Sequence, residues 1–223
     1  MAKGSKVSHV WSIVVAGGAG RRFGDMKQFS TLGGRPVLAW AVEACRPSSA
    51  GVVLVLPAGL DARDHYGADA VVSGGPTRAD SVRCGLAAIP PDAEVIVVHD
   101  AARPLAAPGL FDAVIAAVTE GGADGAVPGV PPSDTIKAVD AAGNVTSTLK
   151  RSELVAVQTP QAFRAVVLRR AHDGAGPDAT DDAMLVEALG ATVRVVPGDP
   201  DNLKITAPDD LGAAERLLAS RWG

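Results

Sequence analysis

The stretch Val10-Trp11-Ser12-Ile13-Val14-Val15 is a short apolar run that stops at Ala16-Gly17-Gly18-Ala19-Gly20 and is followed by Arg21, Arg22 and Lys27. An apolar run ended by glycines reads as a buried strand delivering a loop. Glycines let a backbone approach an anion and turn its N–H groups inward, and Arg22 and Lys27 add the charge a polyphosphate needs, so the loop reads as phosphate-binding. Two commoner phosphate loops do not fit. The G-x-G-x-x-G pattern fails where Phe23 stands in place of the third glycine, and the next apolar run, Val52 to Leu56, ends in Pro57 without an acidic residue for a ribose. No lysine follows a glycine in the manner of a P-loop. The plain alternative is a glycine-rich turn within an α/β domain.

With 223 residues, 47% of them hydrophobic, the chain buries a full core as one domain spanning 1–223. A net charge of −4 excludes a general binder of nucleic acid or of membrane surfaces, so any polyanion is met by a local cluster and the partner is small. Cys45 and Cys84 lie far apart in helix-like segments without metal-ligand spacing, which predicts reduced thiols. The N-terminal M-A-K-G-S-K-V-S lacks an apolar core of signal-peptide length, and no apolar run approaches a membrane span. A cytoplasmic location is the expectation.

Taken in order, Pro36 is placed to open a helix carrying Val37, Leu38, Ala41, Val42 and Cys45 on one face. Val52 to Leu56 is a buried strand, and Val71-Val72-Ser73 runs into a second glycine turn, Gly74-Gly75-Pro76. A helix follows from about Arg78 to Ile89, with Ala79, Val82, Leu86 and Ile89 as its stripe. Val95 to Val98 is a strand ending in H-D-A-A-R-P, polar groups at the end where open α/β sheets bind ligands. Pro108 starts a helix that Gly121-Gly122 stops. This alternation predicts parallel strands joined by right-handed crossovers. The pattern changes after Val130: Asp134 to Asp140 and Val145 to Arg151 flank Ala141-Ala142-Gly143-Asn144 as a polar β-hairpin, an arm at about 131–153. Val155 to Val157 then returns to the core, T-D-D-A begins a helix through Leu189, Thr192 to Val196 is a late strand, and Pro208 starts the last helix.

Taken singly, each polar candidate has a structural reading. Asp100 could cap a turn, Asp80 and Ser81 could start a helix, and Arg103, Arg151 and Lys204 could be solvated charges. His99 reads as a hydrogen-bonded structural histidine. Their joint order is more telling. The pieces A-G-G-A-G-R-R with Lys27-Gln28, G-G-P-T-R-A-D-S-V, H-D-A-A-R-P, S-D-T-I-K, V-Q-T-P-Q, T-D-D-A and D-N-L-K-I-T resemble the 2-C-methyl-D-erythritol 4-phosphate cytidylyltransferases over nearly the whole chain.

The resemblance implies a Rossmann-like, mostly parallel sheet of the nucleotidyltransferase type with helices on both faces and a projecting β-hairpin arm. It implies transfer of a cytidylyl group from CTP to the sugar-alcohol phosphate, with pyrophosphate released. Arg22, Lys27 and Lys204 would be catalytic, and Ala16, Gly17, Gly18, Gly20, Gly75, Ser81, Asp100 and Ala101 would hold the nucleotide. Thr135, Arg151, Thr159 and Arg103 would hold the acceptor, and Asp100 with Asp201 would serve Mg²⁺. A homodimer joined through the arm is implied as well. Two departures stand out: only Phe23, Gly24, Asp25 and Met26 separate Arg22 from Lys27, without the proline relatives carry before that lysine, and Pro76 occupies a position that is often acidic. Attack by an anionic phosphomonoester on the α-phosphorus of CTP needs no general base, which suits a motif set rich in cations. Ribitol 5-phosphate is the rival acceptor, and a nucleotide-binding regulatory module without turnover is the rival class.

Overall fold

The computed structural model describes residues 9–17, 26–60, 64–173 and 179–222. Its centre is a twisted sheet in which β1 (Val10–Val15) lies between β4 (Gly51–Leu56) and β6 (Val95–Asp100), both parallel to it, with β5 (Ala70–Ser73) parallel to β4 at one edge. Beyond β6 comes β11 (Gln161–Arg164), antiparallel to β6 and to β7 (Gly125–Val130), and β12 (Val193–Pro197) runs parallel to β7 at the other edge. A mostly parallel sheet was expected; the antiparallel β11 and the strand β7 were not.

Period-2 alternation sorts the side chains of the central strands onto two buried faces. Val14, Leu54 and Val97 pack with α1 (Val37–Cys45) and α3 (Pro108–Thr119), including Leu38, Val42, Phe111 and Val114. Ile13, Val53, Val55, Ile96 and Val98 pack on the opposite face with α2 (Arg78–Ala88), α4 (Ala165–Asp173) and α5 (Asp182–Glu187), including Val82, Leu86, Leu168 and Val186. Strands covered on both faces explain why these runs are continuously apolar rather than alternating. A small hairpin of β2 (Thr31–Leu32) and β3 (Arg35–Pro36) joins α6 (Asp209–Trp222) in a satellite core with Val37, Leu105 and Ile205.

The hairpin arm is present, with shorter strands than expected: β8 (Lys137–Val139) pairs antiparallel with β9 (Val145–Thr148) across a turn held by the Asp140 carboxylate. Residues 139–153 are all exposed. Two further expectations need correction. Val155 to Val157 does not return to the core: β10 (Ala156–Val157) pairs with Gly129 and Val130 of β7, but Val155 and Val157 stay about 40% exposed. The glycine opposite offers no side chain to cover them. The helix begun by T-D-D-A ends at Glu187, because Gly190 takes a positive φ and the chain turns. Cys45 and Cys84 are free thiols, as expected, with burial pushing the Cys45 thiol up to about 12.

Helix α2 starts with a capping box. The Thr77 hydroxyl accepts from the Asp80 N–H at 3.0 Å while the Asp80 carboxylate accepts from the Thr77 N–H at 3.1 Å. Asp80 is thus the helix-start residue that its position suggested. Thr77→Ala removes the cap and is expected to cost about 1 kcal/mol of stability. Urea unfolding checks this, and an unchanged midpoint would show the cap to be dispensable.

Candidate active site

Backbone hydrogen bonds align the C-terminal ends of the central strands. Ala16 N–H donates to Val55 O at 2.8 Å, Ala101 N–H to Val15 O at 3.0 Å, and Gly74 N–H to Leu56 O at 2.7 Å. The loops after β1, β5 and β6 are therefore held side by side, where open α/β sheets place their ligands. Gly17 and Gly74 close on Ser81: a Cβ at either would come within 2.8 Å and 2.7 Å of the Ser81 hydroxyl oxygen. That hydroxyl donates to Thr77 O at 3.0 Å and lies 3.4 Å from Gly75 O. Ala16, Gly17, Gly75, Ser81 and Ala101 thus fall in one place, and Gln28, buried, donates to Ala16 O at 2.9 Å from below. Gly18, Gly20 and Arg22 lie outside the described residues.

Asp100 ends β6 with its carboxylate between two cations. Lys204 Nζ donates to Oδ2 at 2.7 Å, and Arg78 reaches Oδ1 with Nη2 at 3.3 Å and Nε at 3.4 Å. Burial alone would raise its pKa; Arg78 and Lys204 override this and hold the carboxyl well below the ordinary range. Arg78 in turn donates from Nη1 to Asp182 Oδ2 at 2.7 Å, and His172 Nε2 donates to Asp182 Oδ1 at 3.0 Å. Burial would likewise raise Asp182, and the His172 hydrogen bond with the Arg78 charge brings it down instead.

The loop that carries Lys204 is clamped from several sides. Fully buried Asn202 donates to Thr159 O at 2.9 Å, Ile205 N–H donates to Ala102 O at 2.8 Å, and Lys27 Nζ donates to Ile205 O at 2.7 Å. The two lysines expected at the reacting phosphates therefore meet on one loop. Arg103 is buried and donates to Asn202 O at 2.6 Å, so this side chain holds the loop from inside, and its Nε meets no hydrogen-bond partner among the described residues. Asp201 is exposed on the same loop, its N–H donating to Asp199 Oδ1 at 2.8 Å. Thr135 is exposed on the arm, and Arg151 donates to Ser133 O at 2.5 Å there, apart from the cluster.

The family model for 2-C-methyl-D-erythritol 4-phosphate cytidylyltransferase matches residues 10–220. The chain belongs to that family. It is 47% identical over 217 residues to the 2-C-methyl-D-erythritol 4-phosphate cytidylyltransferase of Frankia casuarinae, covering 94% of this chain and 81% of that one. It is 43% identical over 230 residues to the protein of that name from Pelotomaculum thermopropionicum, covering 96% of each. The crystal structure of the cytidylyltransferase from Thermus thermophilus superposes with a TM-score of 0.77 at 36% identity, over 93% of this chain and 98% of that one. Cytidylyl transfer to methylerythritol phosphate is thereby favoured over the ribitol phosphate alternative and over a regulatory module.

Within this cytidylyltransferase fold, reading the sequence missed Arg78, Asp182, His172, Asn202 and Gln28 as members of the polar cluster. The signal was present for most of them, since Arg78 lies in T-R-A-D-S-V, Asp182 in T-D-D-A and Asn202 in D-N-L-K. What no motif shows is the pairing, which joins residues about a hundred positions apart.

His99 behaves as the structural histidine it resembled. Its Nε2 faces the Arg103 carbonyl at 3.1 Å and must donate there, so Nδ1 accepts from the Thr159 hydroxyl at 3.1 Å, which itself accepts from the Asp100 N–H at 3.0 Å. Burial pushes its pKa down to about 4 from 6.5, against the opposing charge of Asp100. Between those values the unfolded chain binds a proton that the folded chain refuses. The His99 contribution is therefore complete above pH 6.5 and lost as pH falls toward 4, at up to about 1.4 kcal/mol per pH unit. Unfolding measured across that interval should be shallower in pH for His99→Gln than for the parent, and equal slopes would contradict the buried neutral ring.

Proposed function

We propose that this cluster transfers the cytidylyl group of CTP to 2-C-methyl-D-erythritol 4-phosphate with release of pyrophosphate, for isoprenoid biosynthesis, and that Arg22, Lys27 and Lys204 are its reacting cations. The observation that carries the reading is the convergence of Lys27 and Lys204 on one loop beside Asp100 and the Gly17–Ser81 cradle. The acceptor's phosphate oxygen is already anionic and attacks the α-phosphorus in line; pyrophosphate leaves from the opposite side. No proton needs to be removed. The chain instead brings two anions together and stabilises the charge that builds on the equatorial oxygens. In this reading Gly75 and Ser81, with the segment from Ala16 to Gly18, would read the cytosine, and Gly20, Asp100 and Ala101 would hold the rest of the nucleotide. Thr159 and Arg103 are buried against His99 and Asn202, so they would serve the acceptor by holding the loops around it rather than by touching it.

Mg²⁺ belongs to the same proposal, and Asp100 with Asp201 would hold it. The donors suit it: Asp100 is an ionised hard-oxygen ligand that already faces two cations, and Mg²⁺ takes one or two carboxylates and completes its shell with phosphate oxygens and water. When bound, the ion supplies positive charge to the triphosphate. The free thiols of Cys45 and Cys84 suit a reducing, cytoplasmic setting. Among the described residues no helix is long and apolar enough to cross a membrane.

The protein works as a homodimer in which Thr135 and Arg151 of each arm complete the partner's acceptor site. The support is physical. A two-stranded hairpin is at best marginally stable alone, and Val139, Val145, Leu149, Val155, Val157 and Val195 on the arm and at its base are all at least 40% exposed. Val155 and Val195 both crowd Gly129, so the base forms one apolar patch that a second copy would cover.

Pyrophosphate release with CTP should be rapid with methylerythritol phosphate and far slower with ribitol 5-phosphate; the reverse preference would overturn the acceptor. Lys27→Ala should lower kcat roughly 100- to 1000-fold with little loss of stability. Near-native turnover at saturating CTP would remove Lys27 from catalysis.

Mixing Lys27→Ala chains with Arg151→Ala chains tests the shared site. In a mixed dimer one site carries both lesions and the other neither, so about a quarter of native activity returns when half the dimers are mixed. No recovery in verified mixed dimers would place Arg151 in its own chain's site.

A further inference from the structure

The polar cluster extends beyond the residues that the proposed reaction uses. From the sheet's α4–α5 face toward the nucleotide, charges alternate: His172 donates to Asp182, Arg78 bridges Asp182 and Asp100, and Lys204 closes on Asp100. The Asp182 side chain is only 1% exposed. Helix α5 does not depend on it for a cap, since Asp181 accepts from the Met184 N–H at 3.0 Å. Stability does not account for it either, because a buried ion pair is generally no more stabilising than apolar side chains of the same volume.

The contact lengths point to a different role. The guanidinium is bound tightly to Asp182 at 2.7 Å and makes two longer contacts, 3.3 and 3.4 Å, to a single oxygen of Asp100. The other Asp100 oxygen is thereby left to Lys204. We propose that Arg78 is a positioning residue which, anchored by Asp182 and His172, orients the Asp100 carboxylate and through it sets where Lys204 meets the triphosphate. A planar fork with several donors serves two carboxylates at once; a lysine ammonium at the same place lacks that geometry.

This inference rests on the cytidylyl transfer proposed above. Four variants test it: Arg78→Met, Arg78→Lys, Asp182→Asn and the double Arg78→Met/Asp182→Asn, each measured for kcat, KM for CTP and melting temperature. Arg78→Met should lower kcat about 100-fold, the scale of a misplacement near 1 Å. The KM for CTP should move by no more than about threefold, since binding in the ground state is not what is lost. Asp182→Asn should lower kcat in the same direction, and the double variant should be no slower than Arg78→Met, because Asp182 acts through Arg78. The double variant should also melt higher than Arg78→Met, which leaves the Asp182 carboxylate buried without the guanidinium and with only the His172 hydrogen bond. Arg78→Lys should recover melting temperature more fully than kcat.

A kcat for Arg78→Met within about threefold of the parent, or falls that multiply in the double variant, would overturn the positioning role. If the parent itself releases no pyrophosphate, the proposed activity fails. Melting then decides the charge chain: non-additive shifts for Arg78→Met with Asp100→Asn support it, and additive shifts overturn it.

Discussion

A carboxylate set at the buried end of a central strand is tolerated only where cations and hydrogen bonds reach it, because ionising it away from water otherwise costs several kcal/mol. Asp100, 9% exposed, imposes that requirement on this fold. Arg78 comes to it from the head of α2, Lys204 from the loop before α6, and the Thr159 hydroxyl receives its backbone N–H from the link between β10 and β11. Three chain segments distant in sequence are tied to one strand end. The same convergence that satisfies the charge assembles the site.

The neutral His99 ring beneath Asp100 extends this tie. By donating to Arg103 O and accepting from Thr159 it joins the loop after β6 to the link after β10, and Asn202 joins that link to the loop carrying Lys204. Each of these groups is buried, so each bond is protected from competition with water. The positions of the two lysines thus follow from the packing of the sheet rather than from loop sequence alone. Rigid support of this kind matters for a reaction driven by placement and charge, where an error near an ångström is expensive in rate.

Most of the sheet's parallel half was legible because its strands are short apolar runs rich in valine and isoleucine: β1, β4, β5 and β6, together with helices α1 to α3, follow the pattern closely. The antiparallel half was less so. Strand β7 reads Gly-Ala-Val-Pro-Gly-Val, whose glycines and proline signal a loop, and it is a strand because β11, β10 and β12 flank it. Strand β11 has only four residues, too few for a period to show. At the site, the motifs named most of the residues but not their partners. Arg103 stood out as a charge in H-D-A-A-R-P, yet nothing local shows that its guanidinium turns inward to Asn202 O. Arg78 looked like one helix-start residue among several until tertiary structure set it between two carboxylates. Pairings over such separations are properties of the fold, not of a window of sequence.

Holding the cations on carboxylates has a further consequence for how the site meets its substrates. Unpaired arginine and lysine side chains crowded together would repel one another and favour opening of the loops that carry them. Here Asp100 and Asp182 interleave with Arg78 and Lys204, so opposite charges neighbour each other along the chain of contacts and the arrangement persists before any nucleotide arrives. A triphosphate then has to compete for Lys204 with a carboxylate oxygen at 2.7 Å, a charge-assisted bond, rather than with water. That competition is eased when Asp100 itself gains another cation, the place given to Mg²⁺ in the proposed reaction. In the proposed reaction Asp100 would hold Mg²⁺ and Lys204 would turn to the phosphates, so the carboxylate that engages the lysine here is also the group that the ion's charge would satisfy.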